Sequence, residues 1–278
     1  MDGSLGYAPV QEDMKRAHTS NRVIILDALS AIATAAARIY VHEGAALVLV
    51  ARNEARLLAL AADLCASGTA NVAAVAMGLE VEAPNAGKHI ESWKTQLGGI
   101  DHIHLVYGYH GSQPEASASP AELSRIVTSN FTSAVHWCEA AANLLRRQKH
   151  GAMVAACSVA GDRGRQSNYA YGAAKGGLAL YVQGIAHSLA GTGARAVAVK
   201  PGFVDTPMTD GLKKSGPMWA SADQIGKELR RTADRGGPIR CAPGKWRIVM
   251  AIIRAVPAFV FHKTKLQAKP GKRVRQIK

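Results

Sequence analysis

Ala152-Met-Val-Ala-Ala-Cys-Ser158-Val-Ala-Gly161, then Tyr169-Ala-Tyr171-Gly-Ala-Ala-Lys175, is the stretch on which the reading of this chain turns. The first run is short, continuously apolar and ends in a Gly-containing turn, as a buried strand does. The second is rich in Ala and Gly and sets Tyr171 and Lys175 four residues apart, on one face of a helix. That spacing predicts the Lys175 ammonium beneath the Tyr171 phenol, where a cation lowers a tyrosine's pKa from its ordinary value of about 10. Ser158, thirteen residues before Tyr171, can hold the oxygen to be protonated. Such a trio suits general-acid chemistry at a carbonyl. Tyr169 is a competing phenol, but it stands six residues before Lys175 and on another helical face.

Working outward, apolar runs alternate with helical patterns. Val23–Leu26 precedes a helix from Ile32 to Tyr40, Ala46–Val50 precedes Glu54 to Leu64, and Val72–Met77 precedes His89 to Leu97. His102–Val106 precedes a long helix from Ala121 to Leu145, opened by the capping-box pattern Ser119-Pro-Ala-Glu122. Continuous hydrophobic strands separated by helices predict an α/β fold, a single Rossmann-type doubly wound parallel sheet with helices on both faces. At 278 residues and 48% hydrophobic content the chain can bury one large core. It shows no short-period repeat and no Pro/Ser-rich linker. The expected organisation is a flexible tail at 1–20, a catalytic domain at 21–244, and an apolar helix with a basic tail at 245–278.

Downstream, Ala196-Val-Ala-Val-Lys200 is closed by Pro201-Gly202-Phe-Val204-Asp-Thr206. Together with Asn130 in the long helix, Ser158, Tyr171 and Lys175, in this order and spacing, the chain resembles the short-chain dehydrogenase/reductase family over about residues 21 to 245. The resemblance implies a catalytic tetrad: Tyr171 as acid, Lys175 lowering its pKa and holding a ribose, Ser158 fixing the carbonyl, Asn130 supporting a relay water. It also implies a nicotinamide dinucleotide and a homodimer or homotetramer built through the long helices.

The family's cofactor turn follows Thr-Gly-x-x-x-Gly-x-Gly, because backbone N–H groups must approach a pyrophosphate at a helix N-terminus. Here the turn is Leu26-Asp-Ala-Leu-Ser-Ala-Ile-Ala33, so its glycine positions fall on Asp27, Ala31 and Ala33. Asp27 adds a Cβ and an anion beside a doubly charged group. The implied contacts are Asp27, Ser30, Ala31 and Ile32 at this turn, then Glu80 near adenine, and Tyr107 and Gly108 after the fourth strand. Tyr171, Lys175, Pro201, Gly202, Val204 and Thr206 complete them on the nicotinamide side. At the end of the second strand Arg52 replaces the acidic residue that holds both ribose hydroxyls; a planar cation suits a 2′-phosphate, so NADPH is expected over NADH.

Val106-Tyr-Gly-Tyr-His-Gly111 and Ala242-Pro-Gly-Lys-Trp-Arg-Ile-Val-Met250 further resemble the reductases that act on decaprenylphosphoryl-2-keto-pentose, implying a keto-sugar on a polyprenyl phosphate. The formal net charge of +14 gathers late, with Lys263, Lys265, Lys269, Lys272, Arg273, Arg275 and Lys278 following the apolar segment Trp246 to Phe261. Broken by Arg254 and Pro257, that segment is too short to span a bilayer and is expected to lie at an anionic membrane surface. Basic runs without interleaved aromatics argue against nucleic acid. Four scattered cysteines and no secretory apolar stretch point to a cytoplasmic protein, peripheral at most to the inner face of the membrane. His102 and His104 share a strand face without a third ligand, so no metal site is expected. The competing reading is a quiet dinucleotide-fold scaffold or membrane-associated partner, with Asp27 as its discriminating feature.

Overall fold

The computed structural model describes residues 21–68, 71–210, 212 and 216–264. The segment 1–20 and the basic residues from Lys265 onward lie outside the described residues. In chain order the elements are β1 (Arg22–Leu26), α1 (Ala31–His42), β2 (Ala46–Ala51), α2 (Glu54–Ala66), β3 (Val72–Ala76), α3 (Ala86–Leu97) and β4 (His102–Leu105). Then come α4 (Gln113–Ala118), α5 (Pro120–Val127), α6 (Ser133–Gln148), β5 (His150–Ala156), α7 (Tyr169–Ser188) and β6 (Gly193–Pro201). The last part holds β7 (Phe203–Asp205), β8 (Trp219–Ser221), α8 (Ala222–Arg235), β9 (Ile239–Ala242), α9 (Trp246–Ala255) and α10 (Ala258–Phe261).

Seven strands form one parallel sheet in the order β3-β2-β1-β4-β5-β6-β9. Alternate residues of each strand face opposite sides. Ile24, Leu26, Val48 and Val50 pack with α3, α6 and α7, whereas Val23, Ile25, Leu47 and Leu49 pack with α1, α2 and α8. Both faces are therefore covered, which is why β1 and β2 contain no polar residue past Arg22. This is the doubly wound α/β sheet the alternating pattern predicts.

The long helix expected from Ala121 to Leu145 is present, helical from Pro120 to Gln148, but it changes hydrogen-bond pattern part-way. Between α5 and α6, Thr128–Thr132 form a turn of π-helix, an insertion of the kind that accompanies functional positions. Ser119 caps α5 by accepting the Glu122 N–H at 3.4 Å, but the Glu122 carboxylate leaves the capping box and accepts instead from the Tyr109 hydroxyl, 3.0 Å.

The C-terminal segment also departs from expectation. It is two helices, α9 and α10, separated at Pro257. Trp246 and Met250 of α9 are buried against Val159, Phe203 and Met218, so one face docks on the domain. Ile248, Ile252 and Phe259 are 68%, 63% and 71% exposed, leaving the other face open. Arg163 ties α9 down by donating to the carbonyls of Ile253 (2.6 Å) and Val256 (2.5 Å), satisfying helix-end acceptors, and stacks over the Phe261 ring at 3.9 Å.

Candidate active site

Strand order reverses between β1 and β4, which neighbour each other while β1 also pairs with β2. In an open parallel sheet the crevice for a ligand lies at this switch, beyond the carboxyl ends of the strands. The chain leaving β1, β2, β4 and β5 delivers Asp27, Arg52, Tyr107 and Ser158 to that edge.

A cleft of about 190 Å³ there is lined by Asp27, Arg52, Glu80, Tyr107, Gly108 and Ser129, among others. Asp27 has φ +65°, the left-handed conformation that favours glycine. Its carbonyl accepts the Ser30 N–H at 3.0 Å, and Ser30 in turn caps α1 by accepting from the Ala33 N–H at 3.3 Å. Ala31 and Ile32 form the first turn of α1. Burial raises the Asp27 carboxyl above its usual range, opposed by Arg52 and Arg56. Arg56, in the first turn of α2, was not singled out from the sequence; its spacing of four from Arg52 is the signal that could have found it. Glu80 accepts from the Ser129 hydroxyl at 2.5 Å, so its carboxylate is held by the π turn.

Asn130 sits fully buried in that turn. Its amide donates to the carbonyls of Tyr109 (2.6 Å) and Ile126 (2.8 Å) and accepts the Tyr109 N–H at 3.2 Å. It clamps the strand-end loop Tyr107-Gly108-Tyr109. A Cβ on Gly108 would lie 2.5 Å from the Asn130 Oδ1 and 2.9 Å from the Lys175 Nζ, so only glycine lets the loop approach both groups.

Ser158 accepts the Ala160 N–H at 3.1 Å, and its side chain acts on the Tyr171 phenol, favouring the phenolate. The two come together because Gly161 and Gly176 touch: a Cβ on Gly161 would lie 2.5 Å from the Gly176 nitrogen, and the turn after β5 therefore rests directly on α7. The expectation for Lys175 is corrected. Its ammonium donates to the carbonyls of Tyr107 (3.0 Å) and Ala156 (2.9 Å), and burial lowers its pKa. Burial pushes the Tyr171 pKa up to about 12, with the Ser158 side chain opposing. The phenol therefore keeps its proton at neutral pH. The ammonium is drawn to the two carbonyls because a buried cation needs hydrogen-bond acceptors.

On the nicotinamide side of the expected site, Pro201 ends β6 and Val204 is buried in β7. Gly202 lies against the Trp246 indole, which occupies the space a Cβ would need. Thr206 precedes a 3₁₀ turn, and its N–H donates to the Thr209 hydroxyl at 3.3 Å. A larger cleft of about 710 Å³, lined by His110, Gln113, Arg165, Asn168 and Phe203 among others, adjoins the phenol: the His110 and Tyr171 rings are 4.9 Å apart.

His102 and His104 are not bare strand histidines. Both bond the Tyr40 hydroxyl, at 2.9 and 2.8 Å, beneath α1 and α8. Among the described residues no group of three or more His, Cys, Asp or Glu could hold a metal ion.

The model of the short chain dehydrogenase family matches residues 21–216. The chain belongs to the short-chain dehydrogenase/reductase family. It is thus an enzyme of the oxidoreductase class. Relatives include an uncharacterized oxidoreductase of Streptomyces coelicolor, 31% identical over 87% of this chain and 94% of that protein. Another, from Mycobacterium tuberculosis, is 32% identical over 79% of this chain and 88% of that protein. Among solved structures, a short-chain dehydrogenase from Sphingobium yanoikuyae in complex with NADPH superimposes with TM-score 0.73 at 23% identity, covering 90% of this chain and 98% of that one. An NAD+-bound xylitol dehydrogenase gives 0.71 at 19% identity, over 81% and 98%. This short-chain dehydrogenase/reductase shares its fold with both. Its own donors suit a phosphate-bearing nucleotide: two arginines at the β2 end, a capped helix N-terminus, and the glycine approach at 108. The Asp27 carboxyl, buried at the turn, opposes it.

Proposed function

We propose that this enzyme reduces a ketone with NADPH. The carrying observation is a buried Tyr171 that burial keeps protonated, with the Ser158 side chain acting on its phenol and its ring 4.9 Å from His110, which lines the larger cleft; the smaller cleft, lined by Arg52, Tyr107 and Gly108, suits a nucleotide. A bound nicotinamide dinucleotide supplies the hydride. Ser158 and Tyr171 together hold the substrate oxygen. As negative charge develops on that oxygen, Tyr171 delivers its proton, and Lys175, anchored on the Tyr107 and Ala156 carbonyls, stabilises the resulting phenolate. Lys175 also presents its ammonium to the loop at Gly108, where a ribose would lie. Asn130 fixes that loop rather than supplying acid. Arg52 and Arg56 favour a 2′-phosphate, the basis for NADPH over NADH.

Asp27 favours a second reading, a quiet scaffold whose nucleotide turn is spoiled. Steady-state consumption of NADPH and NADH with a panel of aliphatic and sugar ketones separates the two. Turnover faster with NADPH supports the reductase; no turnover and no binding of either nucleotide leaves the scaffold.

The substrate we favour is a keto-sugar, borne on a polyprenyl phosphate. Gln113, Ser117, Gln166, Ser167 and Asn168 line the larger cleft with the hydroxyl-matching groups a sugar requires. The open apolar face of α9 and α10 lies beside this cleft through Phe203, which packs on Trp246 with centroids 5.4 Å apart and also lines the cleft. With the late basic charge, that face would rest on an anionic membrane and give access to a lipid-linked substrate. No helix among the described residues is long and apolar enough to cross a membrane. We infer self-association through α6 and α7, where Leu180 is 70% exposed; light scattering tests it.

A further inference from the structure

Two buried polar atoms in the larger cleft have no role in the proton chemistry above. Arg165 Nε and Asn168 Oδ1 are buried and make no hydrogen bond. Both residues line the cleft, on the segment that joins the turn after β5 to α7. Among the described residues no carboxylate lines this cleft. The nearest acid acting on Arg165 is Asp162, but its carboxylate is taken up by Lys200 at 2.6 Å. An unpaired buried guanidinium N–H costs free energy unless a ligand satisfies it. The segment is held at its start by Arg163, bonded to the end of α9, and at its end by the α7 N-terminus, where the Gln113 side chain accepts the Ala170 N–H at 2.8 Å. The guanidinium is therefore presented from a braced wall rather than a loose loop. The same cleft reaches Tyr171 through His110.

We propose that Arg165 binds an anionic oxygen group, carboxylate or phosphate, of the ketone substrate, while Asn168 Oδ1 accepts from a hydroxyl of the same molecule. This rests on the reductase reading and names its substrate class: a ketone whose far end is negatively charged. A forked guanidinium matches either oxyanion through paired N–H donors.

The test compares two matched pairs of ketones, acetoacetate against methyl acetoacetate and dihydroxyacetone phosphate against dihydroxyacetone. In wild type, kcat/KM should favour the anion of one pair by about tenfold or more, as a charge-assisted hydrogen bond does; the pair that discriminates tells carboxylate from phosphate. Arg165→Met should abolish the preference by lowering kcat/KM for the anion far more than for its neutral partner, and Arg165→Lys should keep part of it. A second readout needs no turnover: the anion that wild type prefers, acetoacetate or phosphate, should raise the melting temperature of wild type more than that of Arg165→Met, in which phosphate keeps only the Arg52 and Arg56 end. Loss of that shift with no ketone reduced would retain the anion site and reject the reductase reading. Should Arg165→Met fail to fold by circular dichroism, Arg165→Lys still has to weaken the anion alone. Equal treatment of anion and neutral ketone by wild type, with melting shifts unchanged in the variants, overturns the proposal.

Discussion

Asp27→Asn should tighten nucleotide binding, and the structure permits an estimate of how much. The backbone at Asp27 is left-handed, a conformation Asn tolerates, so the substitution removes charge with little change of shape. At an effective dielectric of about 20, like unit charges about 4 Å apart repel by roughly 4 kcal/mol, and the repulsion falls with distance. Arg52 and Arg56 screen part of this, leaving an expected gain of about tenfold in Kd at low salt. Asp27→Gly should bind similarly and in addition gain about 1 kcal/mol of stability from relief of the positive φ. The sign of the pH dependence follows from the raised carboxyl pKa. Above that pKa the anion repels the pyrophosphate; as pH falls through it the carboxyl neutralises and binding tightens. Isothermal titration with NAD+, which lacks the titrating 2′-phosphate, isolates this group. Wild-type affinity that does not tighten as pH is lowered, with Asp27→Asn equal to wild type at neutral pH, would refute the reasoning.

Three further outcomes are expected. Burial holds His102 at about 4 and His104 at about 3, with Tyr40, Arg230, Asp234, Asp101 and Arg195 around them; the unfolded chain takes up protons below about pH 6.5, so each imidazole should subtract roughly 2 kcal/mol of stability at pH 5, and urea unfolding of His104→Asn should show a shallower loss. Arg163→Ala should free the α9 end, lowering stability by about 1 to 2 kcal/mol and increasing amide exchange in α9 without changing nucleotide affinity. Ile248→Asp with Ile252→Asp should abolish co-sedimentation with anionic vesicles while circular dichroism stays unchanged, because both side chains are exposed and Trp246 and Met250, which pack on the domain, are left in place. Vesicle binding equal to wild type would reject the membrane-facing role.

The sheet was legible because its strands are buried on both faces, so Val23–Leu26 and Ala46–Val50 appear as unbroken apolar runs. Tyr171, Lys175 and Ser158 were legible from spacing. What spacing could not show is the direction of the Lys175 ammonium, since its acceptors, Tyr107 O in the loop after β4 and Ala156 O at the end of β5, lie 68 and 19 residues away. The π turn at Thr128–Thr132 was hidden for the same reason: Asn130 is turned inward by hydrogen bonds to Tyr109 across the cleft, and no local pattern encodes that. In α9, Trp246 and Met250 differ from Ile248 and Ile252 by helical phase alone. Both sets are apolar, so only the packing of Phe203 reveals which face docks. Arg165 was not singled out from the sequence, because no local pattern shows that the cleft it lines has no carboxylate among its described residues.

The most direct test of the central claim is a comparison of wild type and Tyr171→Phe in NADPH-dependent ketone reduction, with nucleotide affinity measured on both. The phenol hydroxyl is the only group removed, and the ring volume that packs against His110 remains. The account predicts a loss of at least about a hundredfold in kcat, unchanged NADPH affinity and an unchanged circular dichroism spectrum. Full activity in Tyr171→Phe would contradict it.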